Sequence, residues 1–121
     1  MIALLTALAG GLGALARFQS DALVARLHNL RMPLGTLSVN TLGSLLLGLL
    51  TGWVTFKSGA PAWAAVLGTG FCGGYTTFST ACVEGVRLLR AGRPSAALLH
   101  AGGGLLLAVL AAGLGFWVMS L

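Results

Sequence analysis

The stretch GFCGGYTTFSTA, residues 70–81, decides the fold because it interrupts an apolar region that is otherwise long enough to cross a bilayer. Its first half carries glycines, which loosen a helix, and its second half carries hydroxyl residues on both sides of Phe78. Hydroxyls at hydrocarbon depth are costly without partners, and non-helical backbone survives there only when protein covers it or it lines a polar cavity. The stretch therefore predicts a membrane helix that is broken at mid-membrane, with the break as the functional site.

The composition excludes a soluble domain. Of the 121 residues, 57% are hydrophobic and only 7% are charged. A spanning helix needs about 20 apolar residues, so the chain has room for about four spans with short loops. We expect an all-α integral membrane protein with four transmembrane helices, the third of them broken, in a single domain over residues 1–121. The approximate spans are residues 2–27, 34–56, 62–90 and 95–120.

The basic charges indicate a membrane orientation rather than a nucleic-acid partner. The net charge is +5, but the basic residues are scattered around apolar segments instead of clustering on one face. The loops after the first and third spans lie on one side of the membrane and carry five arginines. The other side has Lys57 alone. By the positive-inside rule both termini face outward in the plasma (inner) membrane of a bacterium. The five are Arg26, Arg31, Arg87, Arg90 and Arg93.

Several polar residues lie inside the predicted spans. Asn40 must find a partner in hydrocarbon, and both an interhelical contact and a ligand contact remain open. Arg17 and Asp21 are four residues apart, which fits an interfacial pair, although an intramembrane arginine also attracts anions. Glu84 and Arg87 suggest a second interfacial ion pair. The position of His100, close to the last loop, favours an interfacial histidine over a proton relay.

The polar groups do not suggest an enzyme, since no acid–base pair, catalytic triad, phosphate loop or metal-type cysteine and histidine spacing appears in the sequence. Neutral amide and hydroxyl donors suit a small anion, and backbone carbonyls at a helix break suit a cation. A drug/proton antiporter is an alternative, but it needs a membrane-embedded acid, for which Asp21 is the candidate. A non-transporting assembly subunit is another.

Three motifs carry a family resemblance. The stretches GGLGALARF (10–18), GTLSVNTLG (35–43) and GFCGGYTTFST (70–80) resemble the signatures of the Fluc (CrcB) fluoride channels, and together they cover essentially the whole chain. The resemblance implies a passive, fluoride-selective channel that exports cytoplasmic fluoride. It also implies an antiparallel, dual-topology homodimer in the lipid bilayer, with two pores and a structural sodium ion (Na+) at its centre.

The resemblance also assigns roles to individual residues. Backbone carbonyls of Gly73 and Thr76 would hold the sodium ion. Arg17 would act at the aqueous vestibule, and Glu84 matches a family acid near the pore. The fluoride path would be lined by Asn40, Phe78, Ser79 and Thr80, together with Thr36, which lies one turn before Asn40 on the same helical face.

The chain departs from the family pattern at two places. Family members usually have a second phenylalanine where this chain has Ala81. Many also carry a tyrosine and serines on the fourth helix, where this chain has His100, Gly104 and Ala108. With the charge bias, these departures suggest an alternative in which the chain is a non-conducting or half-pore subunit, paired in a heterodimer with an oppositely oriented paralogue. An engineered alanine at position 81 is a third explanation.

The charge bias bears on the choice between homodimer and heterodimer, because in the heterodimer alternative it fixes a single orientation of this chain in the membrane. We expect accessibility tags at both termini to be labelled only from outside the cell, because the arginine-rich loops stay in the cytoplasm. A cysteine replacing Ser58, in the predicted second loop, is the matched control and should also label from outside. Equal labelling of the termini from both sides would contradict a fixed orientation.

Overall fold

The computed structural model describes residues 1–28 and 32–121, and within these ranges it contains helices and no strands. Residues 29–31, among them Arg31 of the predicted first loop, lie outside the described part of the chain. Three of the helices are long and apolar enough to cross a membrane, whereas two shorter ones follow each other as halves of an interrupted segment. The five are α1 (Ile2–Leu27), α2 (Leu34–Phe56), α3 (residues 61–75), α4 (Phe78–Arg90) and α5 (Pro94–Ser120).

The break in the third segment is confirmed, but it does not lie at the glycines. Gly73 and Gly74 are helical, and the chain becomes extended only at Thr76 (ψ 162°) and Thr77 (φ −150°, ψ 123°). The expectation that these glycines open the helix is therefore wrong. Threonine is β-branched and supplies a capping hydroxyl, so it suits an extended residue directly before a new helix.

The glycines serve instead to bring helices close together. A Cβ on Gly74 would lie 2.9 Å from the carbonyl carbon of Gly10, and a Cβ on Gly13 would lie 2.9 Å from the amide nitrogen of Tyr75. These two contacts fix α1 against α3 at backbone distance. Without a hydrophobic driving force between helices in lipid, such close packing is a main source of stability.

A second close contact joins α2 to α5. A Cβ on Gly48 would lie 2.8 Å from the carbonyl carbon of Ala112, and a Cβ on Gly115 would lie 2.8 Å from the amide nitrogen of Leu49. Gly52 also faces α5, where Met119 leaves no room for a side chain. The step from Gly48 to Gly52 thus packs as a small-residue motif is expected to do.

Two helices contain wide π-helical turns, over Val66–Cys72 in α3 and Leu99–Gly103 in α5. A π turn places one extra residue in the helix, so the side chains on either side of it are rotated relative to a regular α-helix, and such turns often occur at functional sites. Cys72 and His100 lie on these two turns, and both face the same cavity, described below.

The close contact between α1 and α3 can be tested with two glycine substitutions in α1. We expect Gly13→Ala to lower the stability of the protein by about 1–3 kcal/mol, because the added methyl group meets backbone that cannot yield easily. Gly11→Ala is the matched control, since a Cβ at Gly11 has nothing within 4 Å. Thermal unfolding in detergent, followed by tryptophan fluorescence, measures both variants. Equal melting temperatures would contradict the close packing of α1 on α3.

Candidate functional site: a clamped helix break between two cavities

Asn40 of α2 clamps the break between α3 and α4. Its Nδ2 donates a hydrogen bond to the carbonyl oxygen of Thr77 (2.9 Å), and its Oδ1 accepts one from the Thr77 amide (2.8 Å). One side chain thus satisfies both backbone groups of an extended residue, which could not remain unpaired at membrane depth. Of the two roles that the sequence left open for Asn40, the structure therefore shows the contact between helices.

Thr77 begins α4. Its Oγ1 accepts a hydrogen bond from the Thr80 amide (3.2 Å) and donates one to Thr80 Oγ1 (3.1 Å). Ser79 Oγ lies 3.4 Å from the same hydroxyl. The arrangement is a helix N-cap, which satisfies one of the amides that a helix leaves unpaired at its start. Thr77 was not among the predicted site residues, although threonine is one of the residue types favoured at a helix N-cap.

The break also releases backbone carbonyls. In a continuous helix the Thr77 amide would donate to the carbonyl of Gly73, and the Thr80 amide to that of Thr76. Here the first amide donates to Asn40 and the second to the Thr77 hydroxyl. Both carbonyls that were predicted to hold a cation have thus lost their helical donors.

Arg17 reaches the break from α1. Its Nη1 donates a hydrogen bond to the carbonyl oxygen of Thr76 at 3.4 Å. The expected pairing of Arg17 with Asp21 is not among the salt bridges of the described residues, and the Asp21 carboxylate lies against Gly35 of α2 instead. The guanidinium therefore stabilises the interrupted backbone rather than a neighbouring carboxylate on its own helix.

The larger cavity, about 840 Å³, lies beside the break and is bounded by α2, α3, α4 and α5. Phe78 stands at its edge and is 85% exposed. Gly104 and Ala108 form part of the wall on α5, together with Ala81 on α4. Five predicted site residues line this cavity: Thr36, Asn40, Gly73, Thr76 and Phe78.

The smaller cavity, about 340 Å³, is lined by both acidic side chains of the sequence. Asp21 of α1 and Glu84 of α4 line it with His28. Thr36 lines both cavities, is 1% exposed, and has a hydroxyl without a hydrogen-bond partner in the described structure. The two cavities therefore meet at Thr36. Arg17, Ser79 and Thr80 line neither of them and stand next to the break.

Glu84 pairs with a residue that the sequence did not suggest. Among the described residues Glu84 forms no salt bridge with Arg87; instead, Glu84 Oε2 lies 3.5 Å from Nε2 of His100. His100 is 3% exposed, so its ring is buried among the helices. The same Nε2 lies 3.2 Å from the carbonyl oxygen of Ala81. Both contacts of His100 thus lie on one face of α4, because Ala81 and Glu84 are three residues apart. This spacing is the one feature of the sequence that places Ala81 and Glu84 together.

Comparison with known proteins identifies the family. A family model described as "CrcB-like protein, Camphor Resistance (CrcB)" matches residues 4–116. The chain belongs to the CrcB family. The relatives of the chain include "Fluoride-specific ion channel FluC 1" of Leifsonia xyli subsp. xyli, which is 48% identical over 98% of this chain and 86% of the relative. "Fluoride-specific ion channel FluC 2" of Cutibacterium acnes is 47% identical over 95% and 94% of the two chains. "Fluoride-specific ion channel FluC 2" of Bacillus subtilis is 42% identical over 90% and 80%.

Membership of the CrcB family agrees with several expectations from the sequence. The resemblance to the Fluc (CrcB) channels is confirmed, and the relatives are named as ion channels, in agreement with the prediction that the chain is not an enzyme. The apolar helices and the bacterial relatives indicate a multi-pass bacterial membrane protein. The matched region also includes the helix break and both cavities.

The clamp at the break yields a prediction for Asn40. We expect Asn40→Ala to destabilise the protein by about 2–4 kcal/mol, because two hydrogen bonds disappear and the Thr77 amide and carbonyl are left unpaired. Thr41→Ala is the matched control on the adjacent residue, since its hydroxyl bonds only to its own helix, at the Leu37 carbonyl. Thermal unfolding in detergent compares the two. An equal, small loss in both variants would contradict the clamp.

Proposed function

We propose that the chain forms a channel that conducts fluoride passively and selectively, and so exports it from the cytoplasm. The observation that carries the proposal is the clamped helix break, which has Asn40 and Phe78 in the lining of the larger cavity. The CrcB family and the names of the relatives support fluoride as the transported ion. They do not favour the antiporter alternative.

The chemistry of the break fits a small anion. Asn40, Ser79, Thr80 and the unpartnered Thr36 hydroxyl offer neutral donors that can replace hydration water without trapping the ion. The ring edge of Phe78 carries the positive part of the aromatic quadrupole and faces anions weakly. Arg17, beside the Thr76 carbonyl, contributes a positive charge that attracts anions toward the vestibule, and Glu84 lines the neighbouring cavity near the pore.

We also propose that two chains assemble as an antiparallel, dual-topology dimer. Phe78 is 85% exposed, and the space beside Gly73 is open, so the break is uncovered on one side of the single chain. Extended backbone and released carbonyls are not tolerated against lipid, and they need protein or a polar cavity over them. A second copy in the opposite orientation, or an oppositely oriented paralogue, supplies that cover.

The released carbonyls fit a structural sodium ion at the centre of such a dimer. Carbonyl oxygens are suitable ligands for a hard cation, and Gly73 and Thr76 each offer one that has lost its helical donor. Two ligands are too few for one ion, so the second chain would supply an equivalent pair. The Arg17 guanidinium, 3.4 Å from the Thr76 oxygen, opposes a cation there and makes Gly73 the stronger of the two ligands.

Fluoride flux from liposomes tests the proposal. We expect the chain, alone or with its paralogue, to release trapped fluoride, measured with a fluoride electrode. Phe78→Ile should slow the release roughly tenfold, which corresponds to about 1.4 kcal/mol in the barrier. Phe18→Ile is the matched control, because Phe18 is exposed on α1 and lines neither cavity.

The outcomes separate the alternatives. Release only after addition of an oppositely oriented paralogue would identify a half-pore subunit. No release from the chain alone or with the paralogue would contradict the channel. Release that neither Phe78→Ile nor Asn40→Asp changes would place the pathway elsewhere and leave the break as a packing element.

A further inference from the structure

The pair formed by His100 and Glu84 is suited to bind a proton, which the proposed channel does not require. His100 is the only titratable residue of α5, and it pairs with Glu84 where α4 packs against α5. The side chain of His100 is 1% exposed and that of Glu84 is 22% exposed. A histidine ordinarily changes charge between about pH 5 and pH 8, so a buried one beside a carboxylate is suited to proton binding.

The hydrogen bonds fix the tautomer of the neutral ring. The Ala81 carbonyl can only accept, so Nε2 of His100 carries the proton and donates to that oxygen at 3.2 Å. Nδ1 is then unprotonated. It is buried and has no hydrogen-bond partner in the described structure. The neutral ring therefore satisfies one nitrogen and leaves the other with a free lone pair.

His100 also lines the larger cavity, as do Asn40 and Phe78. Protonation adds a hydrogen to Nδ1 and turns an acceptor into a donor with a positive charge. An anion in the cavity would then gain a charge-assisted hydrogen bond, which is shorter and stronger than one from a neutral donor. Glu84 Oε2, 3.5 Å from Nε2, stabilises the same charge from the other edge of the ring.

The remaining charged and titratable groups near the ring are few. On α4 they are Glu84, the Cys82 thiol, which lines the cavity, and Arg87, one turn beyond Glu84. On α3 the Cys72 thiol lines the cavity, and α2 carries no titratable side chain. Asp21 and His28 line the smaller cavity together with Glu84. Among the described residues, Glu84 is the group that forms an ion pair with the ring.

We propose that His100 and Glu84 form a proton-binding site, and that the bound proton makes Nδ1 of His100 a hydrogen-bond donor for a small anion in the larger cavity. The inference rests on the proposed function for the identity of the anion, which is fluoride in the experiment below. Binding of the proton and of the anion then support each other, because the coupling between two ligands is reciprocal.

Nitrogen NMR of the imidazole tests the inference without measuring transport. The full chain, labelled with ¹⁵N-histidine in detergent, is titrated with sodium fluoride at pH 5.5 and at pH 8, with sodium gluconate as the control salt. The His100 signal is the one missing in His100→Gln, or the one retained in His28→Gln if the first variant does not fold. We expect fluoride to shift the His100 Nδ1 signal and to bind on the order of tenfold more tightly at pH 5.5.

Fluoride release from liposomes at the same two pH values identifies the titrating group. Protein-free vesicles correct for passage of undissociated hydrogen fluoride. The pH response of the apparent fluoride affinity should weaken in Glu84→Gln, which removes the carboxylate beside the charged ring, and should disappear in His100→Gln, because glutamine keeps an amide donor but does not titrate. A response that persists in His100→Gln and disappears in Glu84→Gln would overturn the proposal.

The two proposals fail in distinguishable ways. Fluoride release from the wild-type chain without any fluoride-dependent shift of the His100 signal would overturn the proton-dependent site and leave the channel standing. A shift of the His100 signal without release at either pH would keep the anion site and contradict the channel.

Discussion

The pair of hydrogen bonds between Asn40 and Thr77 is the interaction on which the rest of the site depends. A helix cannot be interrupted in hydrocarbon unless something replaces the backbone bonds that it loses. One amide side chain replaces two of them, with distances of 2.8 and 2.9 Å. The capped start of α4, the released carbonyls of Gly73 and Thr76, and the position of Phe78 all follow from that replacement.

The glycines and the threonines of residues 70–81 have different structural roles, because the glycines pack helices together and the threonines form the break. Gly74 lies against Gly10 at backbone distance and holds α3 on α1, while Thr76 and Thr77 make the extended turn and cap the next helix. A glycine can serve either for conformational freedom or for close approach. Sequence alone cannot separate these uses, because only the neighbouring helix reveals which of them applies.

The apolar spans and the interrupted third segment could be predicted from the sequence, since both depend on local composition. The partners of the polar residues could not. Glu84 has Arg87 one turn away on its own helix, yet it contacts His100 because α5 brings that ring to α4. Arg17 likewise reaches Thr76 rather than Asp21. In each case a contact between helices outcompetes the one that spacing along a single helix suggests.

His100 forms its hydrogen bond with the main chain of Ala81 and not with its side chain. The anchoring of the imidazole and the width of the larger cavity therefore depend on different atoms of the same residue. Every residue type offers the same carbonyl oxygen there, so the anchoring of the imidazole does not depend on which side chain position 81 carries. That side chain instead sets the width of the larger cavity. Evolution can therefore vary the width of the larger cavity at Ala81 while the histidine keeps its hydrogen bond.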